Sequence, residues 1–168
     1  QSLSRAFQIG ERHYDRGNDL FQAMLDSRMN YSCGYWRNAD NLEDAQRAKL
    51  DLICRKLGLQ KGQSLLDIGC GWGGLVKYAA ENYGAHCLGS TVSRRQAELA
   101  AKRCESLSVE IELVDYRKLE GTFDHIASVG MIEHVGVKNY RRFFEVAHRC
   151  LADDGLFLLH TIGSLVSG

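Results

Sequence analysis

Apolar residues fall in short clusters between turn signals, and strand-like and helix-like periods alternate along the chain. Leu65, Leu66 and Ile68 form an apolar run of the length of a buried strand. Leu75 to Tyr83 then repeats at helical spacing and stops before Gly84, a C-terminal cap. A second strand is predicted over about Ala85 to Gly89. The helix after it opens on Ser93-Arg94-Arg95-Gln96, a capping-box pattern, and runs to Cys104. Val109 to Leu113 reads as the third strand, Phe123 to Val129 as the fourth and Leu156 to Thr161 as the fifth. A helix from about Asn139 to Leu151 lies between the last two, with Gly155 breaking it. Upstream, Asn41 caps a helix over Leu42 to Leu57, which carries Ala45, Ala48, Leu52 and Ile53 on one face and ends at Gly58. Asn18 caps a shorter one, Asp19 to Leu25, and residues 1 to 17 show no clear period.

Strands that alternate with helices imply an α/β fold, a doubly wound parallel sheet with helices on both faces. A strand order of 3-2-1-4-5 puts the switch point between the first and fourth strands. Their carboxyl ends carry a glycine loop and Glu133, and His160 lies near the carboxyl end of the fifth strand, on the same edge. Taken singly, Glu133 reads equally well as a helix cap and His160 as a satisfied core histidine. Gathered at one edge, they are better explained as a site. Too few residues follow Thr161 for a crossover and another strand, so later strands of the sheet are missing. The fifth strand is therefore expected to be an apolar edge, a hazard for pairing with other chains. The chain opens on Gln1, and it is read as a piece of a longer protein. By itself it is expected to be inactive, and either to self-associate through this edge or to be the ordered part of the longer chain.

Ser64 to Gly74 carries the chemistry. Gly69, Gly71, Gly73 and Gly74 crowd into six residues between strand and helix. Gly69, Gly71 and Gly74 satisfy the dinucleotide pattern G-x-G-x-x-G. Against a nicotinamide cofactor, the second strand ends in Gly-Ser-Thr, with no acid to hold a ribose. Asp67 lies inside the first strand, where an acid is costly unless paired. There it braces the loop or meets a cationic ligand, and the sulfonium of S-adenosylmethionine fits. Tyr31-Ser32-Cys33-Gly34-Tyr35-Trp36 is aromatic, polar and broken by glycine, so it is expected to be a loop that either plugs the core or covers a ligand. Gln96 divides evenly between capping its helix and touching a ligand.

Acids and bases balance at 21 each in 168 residues, which removes a global electrostatic case for nucleic acid. That length suits one domain with a real core. No apolar run is long enough to span a bilayer, and no signal-peptide pattern is read. The six cysteines are scattered without a C-x-x-C pair, so reduced thiols and no metal site are expected.

Five stretches together resemble the cyclopropane-fatty-acyl-phospholipid synthases and, more distantly, the mycolic acid cyclopropane synthases. They are His13-Tyr14-Asp15, Tyr31 to Trp36, Leu66 to Gly74, Glu133-His134-Val135-Gly136 and Leu159-His160-Thr161-Ile162-Gly163. The glycine loop alone says only class I methyltransferase, a Rossmann-like fold. Tyr-Ser-Cys-Gly-Tyr-Trp and Leu-His-Thr-Ile-Gly are much more specific. The resemblance implies transfer of a methylene from S-adenosylmethionine to a cis double bond of a membrane phospholipid acyl chain. It implies a cofactor pocket lined by Tyr31, Ser32, Asp67, Gly69, Gly71, Trp72, Gly73, Thr91, Gln96, Asp115 and Tyr116. It also implies that Cys33, Glu133, His160 and the backbone of Ile162 hold a bicarbonate ion, the base that takes the proton released when the ring closes. Residues 1–58 would form a helical lid with part of the active site, and residues 59–168 the cofactor core, within one catalytic domain. The implied protein is cytoplasmic and peripheral at the inner face of the membrane, touches it through parts outside this chain, and can be a homodimer. A C-methyltransferase acting on a lipid or small molecule, or a non-catalytic cofactor-binding fragment, stays open as an alternative.

Overall fold

The computed structural model describes residues 18–163. The His13-Tyr14-Asp15 stretch and the last five residues lie outside them. In chain order the elements are α1 (Asn18–Met24), α2 (Leu42–Leu57), β1 (Ser64–Ile68), α3 (Gly74–Tyr83), β2 (His86–Thr91), α4 (Arg94–Cys104), β3 (Val109–Leu113), β4 (Phe123–Val129), α5 (Ile132–Val135), α6 (Tyr140–Cys150) and β5 (Leu151–His160). Short 3-10 turns cover Tyr116–Lys118 and Val137–Asn139.

All strands pair in parallel, in the order β3-β2-β1-β4-β5. Side chains alternate across β1, so it feeds two cores. Leu65 packs with Leu50, Ile53 and Leu57 of α2 and Val76 and Ala79 of α3. Leu66 and Ile68 pack on the opposite face, with Ile126 of β4 and Phe143 and Val146 of α6. Burying a leucine or isoleucine side chain is worth about 1.5–3 kcal/mol. Held on both faces and between two neighbours, β1 is the best-anchored strand, and the glycine loop hangs from its end.

Helix boundaries follow their caps. Asn41 Oδ1 accepts from the Asp44 N–H at 2.9 Å, and Gly58 closes α2 in the left-handed conformation at φ +63°. The buried stripe of α2 is turned from the one expected: it comprises Ala45, Gln46, Lys49, Leu50, Ile53, Cys54 and Leu57. The chain before α2 lies over its first turns. The Tyr35 N–H donates to Ala45 O at 2.9 Å, and Gln46 Nε2 to Ser32 O at 2.7 Å.

Two expected boundaries fail where pairing overrides local signals. β2 runs on past Gly89 through Ser90 and Thr91, because β1 and β3 pair with Ser90 and β3 with Thr91. β5 begins at Leu151, directly after α6, so Gly155 lies inside the strand and does not break the helix. Phe123 pairs with Leu151 and His125 with Leu156, an irregularity that makes the strand swell there. A Cβ on Gly155 would stand 2.6 Å from Asp124 O, which is the reason for glycine. As expected, β5 is an edge among the described residues, and Leu156 on it is half exposed. All six cysteines are unpaired. Among the described residues no helix is long and apolar enough to cross a membrane, and no cluster of metal-ligating side chains occurs.

Candidate functional site

A cleft opens at the carboxyl ends of β1, β2 and β4. Its lining includes Tyr31, Ser32, Asp67, Gly69, Gly71, Trp72, Thr91, Gln96, Asp115 and Tyr116. These are the expected pocket residues except Gly73, which does not line the cleft. Gly73 caps α3 and packs against Ala100 of α4.

The loop is pinned from β2: the N–H groups of Gly69 and Cys70 both donate to Ser90 O, at 3.0 and 2.9 Å. Gly69 has φ +86°, and a Cβ there would lie 3.0 Å from Met131 of the loop after β4, so a side chain would meet both backbone strain and a clash. Trp72 is buried, its ring 4.7 Å from that of Phe21. Beyond β2, Thr91 Oγ1 donates to Gln96 Oε1 at 2.8 Å, while Ser93 Oγ accepts from the Gln96 N–H. The cap is therefore formed, and the Gln96 side chain turns to the cleft wall. Asp115 is buried and clamped by Arg117, whose Nε and Nη2 donate at 2.7 and 2.6 Å. Burial alone would raise the Asp115 carboxyl, but the Arg117 bonds outweigh it and hold it below its usual range.

Asp67 differs. It is buried, and its Oδ1 has no hydrogen-bond partner. Burial pushes its carboxyl up to about 7, with the Lys49 charge pulling the other way. An acid left bare in a cleft wall is a standing attraction for a cationic ligand. Lys49 comes from α2, is itself buried, and donates from Nζ to Ser32 Oγ at 2.7 Å. Sequence reasoning missed it, although a lysine spaced four residues from both Ala45 and Ile53 falls on the apolar face and is a visible anomaly.

Beside the cleft, at the ends of β4 and β5, four residues meet in two pairs. Cys33 Sγ lies 3.5 Å from His160 Nε2, and the Ile162 N–H donates to Glu133 Oε1 at 2.8 Å. The Gly130 N–H donates to His160 O at 3.0 Å, which ties the two strand ends together. His160 Nδ1 is buried with no partner. Burial pushes Glu133 up, but the Ile162 N–H and neighbouring bonds prevail and hold it below the ordinary glutamate value, so it is ionised at neutral pH. The Tyr31 to Trp36 segment does not plug the core: Tyr31 and Trp36 are both more than half exposed, and Tyr31 borders the cleft.

A parallel sheet of this order, with a glycine loop at its switch point and no ribose acid after β2, defines a Rossmann-like domain of the methyltransferase class. The sequence pattern described as mycolic acid cyclopropane synthetase matches residues 1–167, and the chain belongs to that family. The cyclopropane-fatty-acyl-phospholipid synthase of Escherichia coli (strain K12) is 58% identical over 164 residues, 98% of this chain and 43% of that protein. A probable fatty acid methyltransferase of Pseudomonas putida is 44% identical, over 89% of this chain and 40% of that one. Among solved structures, the cyclopropane synthase MmaA2 from Mycobacterium tuberculosis superposes with a TM-score of 0.93 at 38% identity, covering 99% of this chain and 60% of that one. The mycolic acid cyclopropane synthase CmaA1 complexed with SAH and CTAB gives 0.87 at 39%, covering 91% and 55%. This chain thus spans less than half of the two full-length relatives it matches here.

Proposed function

We propose that this chain is the cofactor-binding part of a cyclopropane-fatty-acyl-phospholipid synthase, with residues 1–58 as its lid and residues 59–168 as its core. The observation that carries the reading is one cleft edge with two differently equipped parts: an unpartnered buried acid, Asp67, in the cleft, and Cys33, His160, Glu133 and Ile162 beside it. The first suits a sulfonium, and the second, a set of donors around one carboxylate, suits a small oxyanion. When bound, S-adenosylmethionine supplies an electrophilic methyl and bicarbonate a base.

The residues of the chain then divide the work. Asp67 offers negative charge in the cleft wall, and Thr91, Gln96, Asp115 and Tyr116 border the remainder of the ligand. Cys33 and His160, 3.5 Å apart, would hold the anion by hydrogen bonds. Glu133 is ionised and would repel a second negative charge, so a shared proton or a protonated His160 must lie between them. Tyr35 and Trp36, in the segment beside the cleft, are the described candidates for aromatic stabilisation of a developing carbocation, roughly 0.5–2 kcal/mol each. The same reading gives a phospholipid with unsaturated acyl chains as substrate. It puts the protein at the inner face of the membrane, with contact made through parts outside this chain, and allows a homodimer of the longer protein.

The test is product analysis. The full-length protein, given S-adenosylmethionine and vesicles of an unsaturated phospholipid, is expected to yield cyclopropane-ring protons by NMR. A methyl-branched product of the same mass gain would instead make it a C-methyltransferase.

A further inference from the structure

We infer that Lys49 is a positioning residue for the carboxylate end of the ligand in this cleft, acting through the hydroxyl of Ser32. The inference rests on the adenosyl-sulfonium reading. Such a ligand ends in an amino acid, with one ammonium and one carboxylate, and the cleft must answer both charges. Among the described residues, three cationic or potentially cationic side chains line it: Lys49, Arg117 and His134. Arg117 is spent on Asp115 through two short bonds, and His134 is exposed. Lys49 alone of the three is buried.

An ammonium is not buried in a helix face without a cost. Burial pulls Lys49 down to about 8, opposed by the charges of Asp26, Cys33 and Asp67. Asp26 spends its oxygens on Asn30, through the backbone N–H at 2.7 Å and Nδ2 at 2.8 Å. Asp67 leaves Oδ1 without a partner. Among the described residues, the ammonium donates its one hydrogen bond to Ser32 Oγ. A serine hydroxyl has one donor and two acceptor positions. With Lys49 Nζ on an acceptor position, the Ser32 O–H is left to donate elsewhere, and the positive charge behind it strengthens that donation. Ser32 lines the cleft, and its carbonyl is held by Gln46 Nε2 at 2.7 Å, so the hydroxyl is fixed from two sides by α2. A positively backed donor and a bare carboxylate lining one cleft together suit a zwitterion.

Two ligands separate this from a role in folding. S-adenosylhomocysteine carries the amino-acid end, and methylthioadenosine has the same adenosyl thioether without it. In calorimetry on the full-length protein, Lys49→Met should weaken S-adenosylhomocysteine by about 10- to 100-fold, the scale of a charge-assisted bond, and leave methylthioadenosine within about twofold. Ser32→Ala should shift the same ligand preference, and Lys49→Met should add little in the Ser32→Ala background. Equal weakening of both ligands by Lys49→Met, or no change in either, would overturn the inference. So would Ser32→Ala with an unchanged preference, a result that stands even if Lys49→Met fails to fold. If the native protein binds neither ligand, the adenosyl reading falls and this inference with it. If it binds both and only the variants disappoint, the cleft assignment survives.

Discussion

The cleft floor and the neighbouring rim are built by different means. On the floor, partners are near in sequence: Thr91 with Gln96, Ser93 with Gln96, Asp115 with Arg117. These groups are mostly buried, and they sit at the end of β2, on the first turn of α4 and in the turn after β3. At the rim, Cys33 meets His160 across 127 residues, and Glu133 meets Ile162 across 29. Both contacts are solvent-exposed, and the Ile162 side chain is 81% exposed. The side of the floor formed by the ends of β2 and β3 is thus preformed by short loops of chain. The rim exists only because β4 and β5 end side by side and the lid segment reaches across to them.

If floor and rim are separable in function as they are in construction, the largest effect should come from Glu133→Gln in the full-length protein. Turnover is expected to fall by about 100-fold or more, the scale of a lost acid–base group, while S-adenosylhomocysteine affinity moves by less than about twofold. Steady-state kinetics paired with calorimetry decides it. A parallel loss of both would make Glu133 part of the floor.

The next effect sharpens the floor itself. Burial raises Asp67 from 3.8 to about 7 in the folded chain. Between those values the folded state keeps a proton that the unfolded chain has released. The contribution of Asp67 to stability is therefore present below about pH 4 and lost as pH rises to about 7. Relative to the native protein, Asp67→Asn should gain stability on the order of 2 kcal/mol between pH 4 and pH 8. Thermal melts of both proteins at the two pH values measure it, and a pH-independent difference would mean that Asp67 is not desolvated. Lys49 acts in the opposite sense above that window. With its folded value pulled down to about 8 from 10.5, the unfolded chain holds the extra proton and stability recovers as pH rises.

The smallest effect bears on the rim. Gly155→Ala puts a Cβ 2.6 Å from Asp124 O and 2.7 Å from Leu151 Cδ1. A shift of β5 costing about 1–3 kcal/mol should follow. Denaturation should register that loss, with turnover falling through the displaced His160 and S-adenosylhomocysteine binding kept. Weakened cofactor binding at full stability would show that the strand also shapes the floor.

How far the residues announce the structure can be followed element by element. β1, β3 and β4 are bounded by strong local changes of pattern, and α2 by a side-chain cap and a left-handed glycine. The end of β2 lies past its expected boundary, since Ser90 and Thr91 have no strand signature of their own. Pairing with β1 and β3 makes them strand. Gly155 carries a helix-breaking signal, yet α6 ends earlier, at Cys150, and the glycine serves a close pass between β5 and β4. Lys49 was visible as an anomaly on an apolar face, but nothing in its spacing named Ser32 as its partner.

By itself, the sequence determined the alternation of strand and helix and, once a sheet order is assumed, the edge at which candidate chemistry collects. These depend on period, caps and connection length, all of which act within about a dozen residues. The tertiary structure alone decided that Gly73 faces α4 and not the cleft, that Asp67 stands bare while Lys49 turns to Ser32, and that Cys33 closes on His160. Those outcomes depend on which surfaces share a buried volume. A charge is raised or lowered by what surrounds it in space, and chain neighbours do not carry that information.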